Sequence, residues 1–194
     1  MPQISPQDKH YLLKFARSVI ENHLKGASQP LEKDTISPVL LEKSGCFVTL
    51  HLRGQLRGCI GVIEPVTPLL TGVRENAVHA AFHDPRFSPV TSEELGDIVI
   101  EISVLTPPKP LVFQNADMLI SLLKPSVHGV ILSKGYHRAT FLPQVWEQLP
   151  RPEDFLSHLC RKAGMTGSCW KDAGIEVEVY EVMYFSEESL GEAA

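Results

Sequence analysis

An α+β fold with a mostly antiparallel sheet is what this 194-residue sequence predicts, and three observations carry the expectation. Two alternating segments, 46–62 and 127–142, turn back on themselves around glycine-containing turns, so strands arrive as hairpins. Single amphipathic helical stretches separate them, without the regular βαβ order of a parallel sheet. With 43% hydrophobic and 21% charged residues, the chain has the composition of a real core and not of a disordered or coiled-coil protein.

The elements follow in order. Ser5-Pro6-Gln7-Asp8 supplies an N-cap, a proline at the first helical position and an acid three residues after the cap. Leu12, Phe15, Ala16, Val19 and Ile20 then recur at helical spacing toward Gly26. The polar, proline-containing run 27–38 reads as a surface loop. Cys46 to Val62 reads as a hairpin turning near Arg53-Gly54-Gln55. A second helix begins at Thr67-Pro68, carries the stripe Leu69, Val73, Ala77, Ala80 and Ala81, and stops at Pro85. From Asp97 to Leu105, isoleucine and valine alternate with Val99, Glu101 and Ser103 as in a half-buried strand.

Three prolines in Thr106-Pro107-Pro108-Lys109-Pro110 exclude that run from a central strand and mark a lobe boundary near 106–112 within one domain spanning 1–194. Asn115 to Lys124 is a short capped helix, and the hairpin from Val127 to Leu142 turns at Lys134-Gly135. Pro152 to Ala163 is an amphipathic helix ended by Gly164; Ile175 to Phe185 reads as one last strand, with a frayed tail from Ser186.

Composition also excludes functions. The formal charge of −5 offers no general basic field, so neither nucleic acid nor membrane is an expected partner. The first ten residues have no apolar run, and nothing approaches the ~18 apolar residues of a span, so a cytoplasmic protein is expected. Cys46, Cys59, Cys160 and Cys169 form no C-x-x-C and are expected as reduced thiols. No phosphate-cradling glycine motif occurs, and no cofactor is assigned.

Register sharpens the first hairpin, because a one-residue slip moves every side chain of a strand to the other face. A two-residue loop at Gly54-Gln55 would place Arg57 with Val48, Leu50 and Leu52. A three-residue loop at 53–55 pairs Leu52 with Leu56, Leu50 with Gly58, Val48 with Ile60 and Cys46 with Val62, leaving one face wholly apolar. The opposite face then sets His51 across from Arg57, Thr49 across from Cys59 and Phe47 across from Gly61, with direct neighbours ~5 Å apart. A thiol beside a cation is a candidate nucleophile, since the thiolate attacks and a cation favours it. Cys59 and Arg57 are therefore the candidate catalytic residues. Gly58 and Gly61 leave the strand bare, as where a ligand or another backbone approaches. The alternative is a structural cysteine in a glycine-kinked strand.

The run Leu56-Arg57-Gly58-Cys59-Ile60-Gly61 resembles the signature of the AMMECR domain family. The likeness continues through Asp84-Pro85-Arg86-Phe87, Glu101-Ile102-Ser103-Val104-Leu105-Thr106, Val127-His128-Gly129-Val130, Ala139-Thr140-Phe141-Leu142-Pro143-Gln144-Val145 and His158-Leu159-Cys160-Arg161-Lys162-Ala163-Gly164. It is similar to the prokaryotic branch, the A component of the AmmeMemoRadiSam system. That implies two unequal lobes with a cleft near the signature strand, and companionship with a Memo-type protein and a radical SAM protein. The resemblance supplies no reaction and no oligomeric state.

Further candidates stand beside duller readings. Arg86 either presents its charge to an anionic ligand or braces the loop through Asp84. Glu101 joins the Cys59 patch if its strand neighbours the hairpin, and His128 is either an acid–base group or a histidine fixed at a strand start. Gly58, Gly61, Arg86, Glu101 and His128 are thus the candidate ligand-binding residues. His79 and His83 have metal-like i, i+4 spacing but no third ligand, so no metal is assigned. Lys134, His137, Arg138, Arg161 and Lys162 offer a basic rim.

Overall fold

The computed structural model describes residues 4–27 and 36–191, so most of the loop expected at 27–38 lies outside the described residues. Its elements are α1 (Pro6–Leu24), β1 (Cys46–Leu52), β2 (Gln55–Val62), α2 (Leu69–Phe82), β3 (Ile98–Leu105), β4 (Lys109–Pro110), α3 (Ala116–Leu122), β5 (Gly129–Lys134), β6 (His137–Phe141), α4 (Pro152–Lys162), β7 (Glu176–Tyr180), β8 (Val182–Ser186) and α5 (Glu187–Gly191). The class is α+β. The strands form two four-stranded sheets, ordered β2-β1-β3-β8 and β4-β7-β5-β6. Two compact units result, one of residues 1–105 with 183–194 and one of residues 106–182.

In the first unit, α1 opens with the expected capping box: Asp8 N–H donates to Ser5 Oγ at 3.1 Å while Ser5 N–H donates to Asp8 Oδ2. Its buried stripe, with that of α2, covers one face of the sheet, where Cys46, Val48, Leu50, Ile98, Ile100, Ile102 and Val104 form the core.

The hairpin's tip differs from expectation. Cys46 faces Val62, Val48 faces Ile60 and Leu50 faces Gly58 as the pattern requires, but the loop has two residues, Arg53 and Gly54, with φ of 53° and 77°. Both positive values suit the type I′ turn, whose twist matches a hairpin. The remaining residue is absorbed as a bulge, for His51 faces Leu56 and Arg57 is the extra residue on β2. Arg57 is therefore not opposite His51.

Three more expectations are corrected. The segment read as one strand from Ile175 to Phe185 is two strands in different sheets, interrupted at Glu181, whose N–H donates to Thr106 Oγ1 at 2.9 Å. The tail expected to fray from Ser186 is helical over its described part, Glu187–Gly191. Its short helix brings Glu187 onto the Arg17 guanidinium in a two-point pair at 2.6 Å, and Glu187 also accepts the Ile100 N–H at 2.8 Å. Cys160 and Cys169 are not reduced thiols but a disulfide, with Cα atoms 5.9 Å apart. The turn at Gly164, where φ is 75°, folds the end of α4 back so that cysteines nine positions apart meet.

The second unit packs α3 and α4 with the sheet around Trp146, which stacks on Phe155 with ring centroids 3.8 Å apart. Its β4 is a two-residue edge strand, as its proline requires. No described helix is long and apolar enough to cross a membrane.

Candidate functional site

The signature segment becomes β2, an edge strand of the first sheet. Its glycines have separate uses. A side chain at Gly58 would drive Cβ into the backbone carbonyl of Ala80, so glycine here lets α2 lie directly on the strand; at Gly61 the space is filled by the Phe47 ring.

The face of the sheet away from α1 and α2 carries the chemistry. Thr49 faces Cys59 on one side and Glu101 on the other, so the three form a row across β2, β1 and β3. Thr49 Oγ1 donates to Cys59 Sγ at 3.2 Å. All three are half-buried. A parallel row runs through Gly61, Phe47 and Ser103, and His51 faces Val99. The strand pairing thus brings Glu101 into the Cys59 patch, the condition the sequence left open.

The two arginines are already engaged. Released by the bulge, Arg57 pairs with Glu94 through Nε and Nη2, each at 3.0 Å, and Nη2 also reaches Pro89 O at 3.4 Å. Its Nη1 is buried without a partner among the described residues. Glu94 is itself placed by a reciprocal pair with Thr91: Thr91 N–H donates to Glu94 Oε2 and Glu94 N–H to Thr91 Oγ1. The Arg57 bond, and then the Thr91 N–H, hold the Glu94 carboxyl below its ordinary value.

Asp84 does more. Just past α2, its 4% exposed carboxylate accepts the Arg86 side chain at 2.7 and 2.9 Å, the Arg86 N–H at 3.1 Å and the Cys59 N–H at 2.9 Å. Arg86 Nη2 in turn donates to Cys59 O at 3.2 Å. One acceptor and one donor therefore close on the outward N–H and C=O of Cys59, where β2 has no neighbouring strand. The Arg86 bonds, foremost among several causes, hold the Asp84 carboxyl far below the usual carboxylate range. Phe87 lies beneath both arginines, its centroid 5.4 Å from Arg86 Cζ and 6.0 Å from Arg57 Cζ.

The other candidates lie elsewhere. His128, in the second unit, is 7% exposed; its Nδ1 accepts the Lys124 N–H at 3.2 Å, and its carbonyl accepts Trp146 Nε1 at 2.7 Å. Burial pushes its pKa down, consistent with a neutral ring. Four of the rim residues are engaged within the second unit: Lys134 with Asp172, Arg138 with Glu178, Lys162 with Thr140 O, and His137 Nδ1 with Ala163 O. His79 and His83 are exposed with ring centroids 5.6 Å apart, and the described residues hold no group of three or more metal-type ligands. A groove of about 850 Å³ in the second unit, lined by Leu111, Phe113, Trp170 and Ile175 among others, contains none of the candidates. Cys46 lies on the core face, where burial pushes its thiol up to about 11.

Sequence reasoning missed Glu94 and Thr91. Thr91-Ser92-Glu93-Glu94 has the S/T-x-x-E form of a capping box and was the available signal. Nothing in the sequence pointed to the bond from Cys59 N–H to Asp84.

Comparison with known proteins gives one consistent picture. The AMMECR1 family model matches residues 13–185. A protein of Methanothermobacter thermautotrophicus is 40% identical over 190 residues, covering 95% of this chain and 97% of its own length. One from Methanocaldococcus jannaschii is 38% identical, with 96% and 94% covered. The crystal structure of an uncharacterized protein from Pyrococcus horikoshii superposes with a TM-score of 0.81 at 37% identity, covering 93% of this chain and 91% of that one.

Proposed function

The chain belongs to the AMMECR1 family, and from that premise we propose that it is a presenting or partner component acting with a Memo-type and a radical SAM protein in a redox or modification system. One observation supports this over a self-sufficient enzyme. The cations that a cysteine nucleophile would draw on are spent in internal pairs, Arg57 with Glu94 and Arg86 with Asp84. The family signature is here built into a scaffold that displays Cys59, Thr49 and Glu101 on a sheet face. The purified chain alone is expected to show no turnover. Co-expression with the two companions is expected to yield a complex that survives purification, and failure to co-purify at every salt concentration would overturn the reading.

A second reading makes Cys59 the nucleophile of a small-molecule enzyme. The Thr49 hydroxyl at 3.2 Å from Sγ favours it, because a hydrogen bond to sulfur stabilises a thiolate. Alkylation rate against pH tests it: an apparent Cys59 pKa at or above the free-thiol value of about 8.5 would exclude an activated nucleophile.

A further inference from the structure

Glu101 is a carboxylic side chain without a partner among the described residues. It stands on β3, an interior strand with β1 on one side and β8 on the other, and it is half-buried. It has no hydrogen bond or ion pair among the described residues. Carboxylates at such positions are ordinarily matched, because water no longer fully solvates them. The arginines of the hairpin and of the loop after α2 have other partners: Arg57 is held by Glu94, Arg86 by Asp84, and Arg53, at the hairpin tip, by Asp97.

The row's hydrogen-bonding character points the same way. A carboxylate only accepts. Thr49 directs its single hydroxyl proton at Cys59 Sγ, which leaves its oxygen lone pairs as acceptors. From Thr49 to Glu101 the row therefore shows acceptors to whatever settles on it, with the Cys59 sulfur a weaker one beside them. Cross-strand spacing puts the two ends roughly 10 Å apart, with Thr49 between. A primary ammonium group, with three donors and one positive charge, complements that arrangement.

We infer that the row Cys59, Thr49, Glu101 receives a ligand presenting a primary ammonium group, with Glu101 as its counter-ion, and does not take an anion. The inference rests on this row being the working face under either functional reading and adds the chemical class of what it accepts. Free amines and lysine side chains share this chemistry.

Charge-selective thiol reagents test it on the full chain. Cys46 is fully buried and Cys160 is bonded to Cys169, so Cys59 is the native thiol that reports. Rates are measured with 2-(trimethylammonium)ethyl and 2-sulfonatoethyl methanethiosulfonate and divided by those of N-acetylcysteine amide. One uncompensated charge at roughly 10 Å should shift the cation-to-anion ratio about tenfold toward the cation, and rising salt should reduce the shift. Glu101→Gln should abolish it, whereas Asp97→Asn, removing an exposed carboxylate elsewhere, should not. n-Butylamine and acetyl-Gly-Lys-Gly-amide are then tested for protection of Cys59 against neutral methyl methanethiosulfonate. Protection by the first alone assigns a free amine, and by the second alone a lysine side chain; protection by both supports the shared chemistry. A ratio that favours the anion, equals the free-thiol ratio or survives Glu101→Gln overturns the inference, as does protection by neither amine or a Cys59 inert to every reagent. These outcomes are separate from co-purification and from the Cys59 pKa, which test the proposed function.

Discussion

Replacing Asp84 is the sharpest test of how the site is built. In Asp84→Ala the Cys59 N–H, the Arg86 N–H and the Arg86 guanidinium all lose the same acceptor. The costs differ with access to water. The Arg86 side chain is 53% exposed and rehydrates, so its ion pair contributes at most about 1 kcal/mol. The Cys59 N–H, bonded to a charged acceptor, contributes about 1.5–3 kcal/mol. Asp84→Ala should therefore cost about 3 kcal/mol, Asp84→Asn about 2 because one acceptor oxygen survives, and Arg86→Ala about 1. For a chain of this length, 3 kcal/mol corresponds to a fall in Tm of about 6–12 °C. Urea unfolding gives the energies, and hydrogen exchange at the Cys59 amide shows whether that bond is the one lost. The reasoning is refuted if Arg86→Ala costs as much as Asp84→Ala, or if Asp84→Asn stays within about 0.5 kcal/mol of the parent. The pH dependence has a definite sign. The native carboxyl has a lower pKa than the unfolded one, so the native state binds fewer protons between the two values. The contribution is complete above the unfolded value of about 4 and is lost as acidification approaches the native value.

Other expectations follow from the same geometry. His128, with its pKa pushed down by burial, contributes stability that is present above its ordinary value of about 6.5 and is lost as pH falls below it; urea midpoints at pH 7 and pH 5 should differ less in His128→Gln. Thiol titration of the unreduced chain should find Cys59 accessible when native, Cys46 only on unfolding, and Cys160 and Cys169 only after reduction; four titratable thiols without reductant would refute the disulfide. Reducing that bond should cost about 2.5 kcal/mol from loop closure alone, read as a shift in urea midpoint. Gly58→Ala, whose Cβ meets the Ala80 carbonyl, should cost about 2–3 kcal/mol, and a neutral result by thermal melting would show that α2 does not rest on β2 as described.

Much of the first unit was legible because its signals are local. The Ser5 capping box, the stripe of α2 and the alternation of β3 are properties of a few neighbouring residues. The hairpin shows where that stops. A three-residue loop, and a two-residue loop with one bulged residue, give the same pairing from Leu50 with Gly58 downward, so the apolar pattern could not tell them apart. The difference decides where Arg57 goes: opposite His51 in the first, toward Glu94 in the second. The Asp84 bond and the disulfide were illegible for another reason. Each joins segments by the path of the chain between them, and neither the 25 positions from Cys59 to Asp84 nor the nine from Cys160 to Cys169 carry a periodic signature. The break at Glu181 escaped because alternation continues across it while the strands change sheet.

The closure of Asp84 and Arg86 over Cys59 bears on how the protein behaves in a crowded solution. An edge strand with free N–H and C=O groups is a template on which a strand from another molecule can add, and repeated addition leads to aggregates. On β2, Leu56 and Val62 are 43% and 40% exposed, so backbone pairing there would be reinforced by apolar contact. By occupying both backbone groups of Cys59 with side chains from the same molecule, the pair removes a rung from the middle of that template. The charged loop that shapes the site is thereby also a guard against self-assembly, and its loss leaves a longer open edge for a second chain to extend.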